Sequence, residues 1–176
     1  MRVLRPFIAG IPFLVFATAT WGQGSIMSDA VRHVANEHRG PLLAVAEAMP
    51  ASRYSFRPTP AQMTFGTLIL HIRDDNRITC GAIAGRDADV EERLVASDPK
   101  EKLVAALRRS LDFCDSALAH VSDSQLSDSV SYYGHPAMRV QALVGLVDDW
   151  ADHYGQAAIY LRLNRIAPPT AKQGAT

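Results

Sequence analysis

Asp149 and His153 stand four residues apart in the run Asp149-Trp150-Ala151-Asp152-His153-Tyr154-Gly155-Gln156, the spacing that stacks a carboxylate and an imidazole on one helix face. At about 3.6 residues per turn, Asp149, His153, Gln156 and Tyr160 share a polar stripe beside an apolar one of Leu143, Leu146, Trp150, Ala157 and Leu161. A polar strip bordering a core is where helix bundles build metal and catalytic sites. Earlier in the chain His71 and Asp75 repeat the spacing. His71, Asp149 and His153 therefore make a three-ligand set for a divalent transition metal (zinc, nickel or iron), with positions left for water or substrate. Asp75 is open to three roles: a ligand, a hydrogen-bond partner of an imidazole, or the general base, which makes it the catalytic candidate. Gln156 and Tyr160 are candidates to line a substrate pocket. The same spacing also serves ion pairs on solvated helices, so spacing alone leaves metal binding open.

For these residues to meet, helices must bring them together. The periodicity predicts four helices and no convincing strand: 27–48, with Pro41 set to kink or interrupt it; 60–84, ended by Gly85; 99–121, opened by Ser97 or Asp98 and Pro99; and 137–164. Phe65, Leu68, Ile72, Thr79 and Ile83 form the apolar stripe of the second helix, and Leu103, Leu107, Ser110, Cys114, Leu118 and Val121 that of the third. The segment 49–60 is proline-punctuated, and 122–136 reads as a polar connection. The fold class is all-α, a four-helix bundle. His71 lies about 11 residues after the start of the second helix and His153 about 10 before the end of the fourth, levels that match if these helices are antiparallel. Cys80 and Cys114 come level only if the second and third helices are parallel, with 86–98 as a crossover. Both matches favour an up-down-down-up order.

Several separated motifs resemble the DinB-like (damage-inducible protein B) family. They are Met49-Pro50-Ala51-x-x-Tyr54-x-Phe56-Arg57-Pro58, Phe65-Gly66-x-Leu68-x-x-His71-Ile72, Asp152-His153-Tyr154-Gly155-Gln156, and Tyr160-Leu161-Arg162-Leu163-Asn164-x-Ile166-x-Pro168-Pro169. The resemblance implies an up-down-down-up bundle and a site of three histidines, one on the second helix and a His-x-x-x-His pair on the fourth. His71 and His153 carry over. The first histidine of the pair does not, because Asp149 stands there, so the site is either two histidines and a carboxylate or a degraded remnant. The resemblance implies a metal-dependent enzyme of hydrolase or transferase type with an unknown small-molecule substrate. The alternative is a non-catalytic binding or structural bundle. Thiol transfer, known among some relatives, suits cytosolic thiol pools and is not expected of an exported chain.

Export is expected from residues 1–23. Arg2 and Arg5 precede an apolar run, and Ala17-Thr18-Ala19 offers a signal-peptidase site. The run of about 14 residues falls short of the ~20 that a spanning helix needs. The mature protein is then periplasmic or secreted with no stable membrane anchor, a domain over 24–169 and a disordered tail over 170–176. Export permits a Cys80–Cys114 disulfide, and this is the pairing expected, over buried free thiols or a nucleophile with its partner. With 18 basic against 18 acidic residues and no basic face, nucleic acid is not an expected partner; a homodimer is compatible with the sequence. His33, His38, His120 and His135 read as solvated or structural, Trp150 as core. Tyr132, Tyr133 and His135 either line a pocket mouth or pack a turn.

Overall fold

The apolar stripes close on one another as four helices. The computed structural model describes residues 25–88 and 93–172; the expected signal segment and residues 173–176 lie outside them. Helix α1 spans Ile26–Ala48, α2 Phe65–Ala84, α3 Lys100–Ala119 and α4 Arg139–Leu163. Helix α1 continues through Pro41 without interruption. The carbonyl that Pro41 leaves without its usual amide belongs to Glu37, on the exposed face, where water can take it.

Helix α2 begins at Phe65 rather than Pro60, because the Thr64 hydroxyl accepts from the Thr67 amide at 3.1 Å and so caps the first turn there. It ends as expected at Gly85, whose φ of 67° lets the Arg86 amide reach back to the Gly81 carbonyl at 3.1 Å. Asp98 does not cap α3. Its carboxylate accepts from the Val95 amide at 2.7 Å in the preceding turn, and α3 opens on Pro99 with no side-chain cap.

Polar contacts fix the helix directions. Near the start of α1, Arg32 donates to the Leu118 carbonyl near the end of α3, and Lys100 at the start of α3 donates to Glu47 near the end of α1. Those two helices are antiparallel. Arg139, opening α4, donates to Ile83 near the end of α2, and Tyr160 near the end of α4 donates to Met63 just before α2. These two are antiparallel as well. The Cys80–Cys114 disulfide, with Cα atoms 5.1 Å apart, joins the last turns of α2 and α3, which are therefore parallel. The order is up-down-down-up with a crossover between α2 and α3.

The expected stripes are buried throughout, with Trp150, Phe65, Leu42, Met49 and Leu68 among the largest enclosed side chains. A polar relay runs through this core. Trp150 Nε1 donates to Asn76 Oδ1 at 2.6 Å, Asn76 Nδ2 to Ser110 Oγ at 3.0 Å, and Ser110 Oγ to the Leu107 carbonyl at 2.8 Å. It ties α4, α2 and α3 together with its buried groups partnered.

The expectation of no strand needs correction. The 122–136 connection contains a β-hairpin, β1 (Ser129–Tyr132) paired antiparallel with β2 (His135–Met138), where no strand was expected. Its two-residue turn, Tyr133 and Gly134, has φ of 49° and 78°, the all-positive signature of a type I′ turn. Pro169–Lys172 form a 3-10 turn, and Thr170 is pinned by the Tyr154 hydroxyl at 2.6 Å.

Candidate metal centre

His71 and Asp75 occupy successive turns of α2, and His153 faces them from the antiparallel α4. His71 Nε2 lies 3.1 Å from Asp75 Oδ2. The His71 and His153 rings meet edge to face, centroids 4.9 Å apart. One donor atom from each of His71, Asp75 and His153 lies within 4.8 Å of the other two. Asp75 and His153 are buried, and His71 is half-buried at the rim.

Asp149, placed in the ligand set by its spacing, contacts His153 from one turn earlier on α4. Its backbone carbonyl lies 2.8 Å and its carboxylate 3.1 Å from His153 Nδ1. A ring nitrogen between two acceptor oxygens must carry the proton, which leaves the Nε2 lone pair for the cluster. Asp75, not Asp149, is thus the carboxylate grouped with His71 and His153, while the Asp149 contacts fix the tautomer and ring angle of His153. Burial acts to lower the His153 pKa, but the hydrogen bond and charge of Asp149 outweigh it, and the net shift is upward. Burial pushes the Asp75 carboxyl up, against the opposing pull of His71 and of the Tyr133 hydroxyl.

The donor set fits a divalent transition metal. Two imidazoles and a carboxylate are a recognised ligand combination for such ions. Residues His33, His38, His120 and His135 fall outside the cluster.

The two pocket candidates sit elsewhere. Gln156 Nε2 donates to Asp152 at 2.6 Å on the outer face of α4. Tyr160 is buried, with its hydroxyl on the Met63 carbonyl and its ring against Phe56 and Phe65. A cleft of about 1050 Å³ opens instead between the second half of α2 and the hairpin, lined by Arg77, Gly81, Gly85, Arg86, Tyr133 and Arg139 among others. Tyr133 belongs to both places, because its hydroxyl donates to Asp75 Oδ1 at 3.0 Å. That contact was not anticipated; the signal for it was the alternation Ser129-Val130-Ser131-Tyr132 ahead of a glycine, the mark of a hairpin arm.

Residues 35–157 match the DinB superfamily. The chain belongs to the DinB superfamily. Solved structures agree on the DinB fold. A DinB-like protein from Bacillus subtilis is 15% identical with a TM-score of 0.65, the match covering 81% of this chain and 97% of that one. A DinB-like protein from Bacillus cereus is likewise 15% identical with a TM-score of 0.65, over 80% and 95%. A conserved protein from Enterococcus faecalis is 20% identical with a TM-score of 0.62, over 77% and 95%. No curated protein matches the chain.

Proposed function

We propose that this DinB-family protein is an exported, metal-dependent enzyme of hydrolase or transferase type that acts on a small molecule. The observation that carries the proposal is the convergence of His71, Asp75 and His153 from two antiparallel helices at the rim of the core. These three residues would hold one divalent transition metal (zinc, nickel or iron). Such an ion supplies a Lewis acid and lowers the pKa of bound water.

The chain's own contribution is positional. Asp149 keeps the His153 proton on Nδ1, and the buried Trp150–Asn76 hydrogen bond braces α4 against α2 one turn from the site. Asp75, as a ligand, is not a free base. The adjoining cleft offers room for a small-molecule substrate. Export is supported by the sequence of residues 1–23 and by the Cys80–Cys114 disulfide, a bond that persists in oxidising compartments. Among the described residues no helix is long and apolar enough to cross a membrane.

One observation favours a second reading. His71 pairs with Asp75, and His153 with Asp149, so all four side chains are satisfied without an ion. A bundle whose site is vestigial, and which binds a ligand without catalysis, would look the same. Elemental analysis of protein purified without an affinity tag or added metal separates the two. About one equivalent of a transition metal, lost on His153→Ala, supports the enzyme. A folded wild-type protein that takes up no metal at micromolar concentration leaves the vestigial site.

A further inference from the structure

We propose that Tyr133 is a positioning residue of the metal centre: from a strained hairpin turn it holds one oxygen of Asp75 and thereby presents the other as the ligand. The inference rests on the metal reading of the His71–Asp75–His153 cluster and adds a residue from a different element of the fold.

Asp75 has two oxygens, and the structure uses them differently. Oδ2 faces His71 Nε2 at 3.1 Å, inside the cluster. Oδ1 accepts from the Tyr133 hydroxyl at 3.0 Å. A carboxylate with one oxygen held this way cannot rotate freely about its last bond, so the remaining oxygen keeps its aim. Hydrogen bonds of this kind behind a ligand set both its orientation and its basicity.

The backbone around Tyr133 supports the same role. Its φ of 49° lies in the left-handed region, where Asn or Gly is the favoured first residue of a type I′ turn and a bulky aromatic is disfavoured. Strain of this sort persists where the surrounding structure over-determines it, and it concentrates at functional sites. Apolar burial does not explain the choice, because Tyr133 remains 47% exposed.

The hairpin is instead docked for delivery. The Tyr133 ring stands against Tyr132, centroids 4.8 Å apart. The Tyr132 hydroxyl in turn occupies the space over Gly145 of α4, where a Cβ would collide with it. Tyr132 thus seats the hairpin between α4 and α2, where Thr79 hydrogen-bonds it, and Tyr133 reaches α2 at Asp75. Tyr133 also lines the cleft, so one phenol forms the wall that cleft and metal centre share.

The test is titration of the metal-free full chain with zinc chloride by calorimetry, with thermal melts of the same metal-free samples. Tyr133→Phe keeps the ring and loses only the hydroxyl; its zinc dissociation constant should rise about tenfold at an unchanged melting temperature. Tyr133→Asn suits the turn and lacks the reach to Asp75; it should stay folded and lose affinity to a similar degree. Wild-type affinity in Tyr133→Phe overturns the inference, as does a loss of affinity that only follows a loss of melting temperature. A folded wild type that binds none of zinc, nickel or iron(II) in the same titration overturns the metal centre itself, and the inference with it.

Discussion

Two aspartates compete for one position at the scale of single residues, and the structure separates them by which imidazole nitrogen each one meets. Asp75 lies among the donor atoms; Asp149 lies behind His153 on Nδ1. Asp75→Ala should therefore cost more metal affinity than Asp149→Ala, whose loss should fall in the ~10–100-fold range of an indirect partner. Calorimetry on both variants checks the order, and the reverse ranking would return Asp149 to the ligand set.

The pH dependence has a definite sign. His153 and Asp75 are both held above their ordinary values, so each binds its proton more tightly folded than unfolded. Their contribution to stability is fully present below the unfolded values, ~6.5 for His and ~3.9 for Asp, and is lost as pH rises through the folded ones. Metal-free protein should melt at lower temperature as pH rises above ~6.5. Metal-loaded protein should gain from the same change, because protons compete for the ligands. Paired melts from about pH 6 to 8 test both signs. His71 and His153 were legible in the sequence as ligand candidates, with Asp149 expected as the third and Asp75 left open between ligand, hydrogen-bond partner and base. What spacing does not carry is which ring nitrogen turns inward, since that depends on the rotation of α4 against α2 and on the rotamer.

The helices were legible as elements because their apolar stripes are long and periodic; every residue assigned to the stripes of α2, α3 and α4 is buried. The hairpin was not. Its strands are four residues each, so the Ser129–Tyr132 alternation is a weak signal, and Tyr133-Gly134 lacks the Asn or Asp that usually announces such a turn. Pro136 within β2 further masked it, although a two-stranded ribbon is all edge and tolerates proline. The start of α2 was misplaced for a related reason: prolines advertise helix starts, but the Thr64 cap decided this one. That start is also tightly packed. A Cβ on Gly66 would lie 2.6 Å from the Ala96 carbonyl oxygen and 3.4 Å from that of Tyr54, both backbone atoms with little freedom to move. Gly66→Ala should destabilise the fold by ~1–3 kcal/mol. Urea unfolding would show it as a lower midpoint with an unchanged slope.

The order of the bundle as a whole could be read before any contact was known, because levels along a helix follow from residue counts. His71 against His153 required antiparallel helices, and Cys80 against Cys114 required parallel ones; the disulfide joins the latter pair. Its sequence separation of 34 implies ~3–4 kcal/mol of stabilisation in the chain-entropy account. Reduction should lower the denaturation midpoint by a corresponding amount, measurable with and without a thiol reductant. The same bond also makes the crossover between α2 and α3 part of a closed ring. A protease that cuts at Arg86 or Arg93, both between the two cysteines, opens the ring without releasing either piece. Such a nicked molecule should keep the intact mass plus one water until it is reduced, and only then separate into an N-terminal and a C-terminal fragment. Each fragment would carry part of the proposed metal site, His71 and Asp75 on one and His153 on the other, so two polypeptides joined by the disulfide would still present one set of candidate ligands.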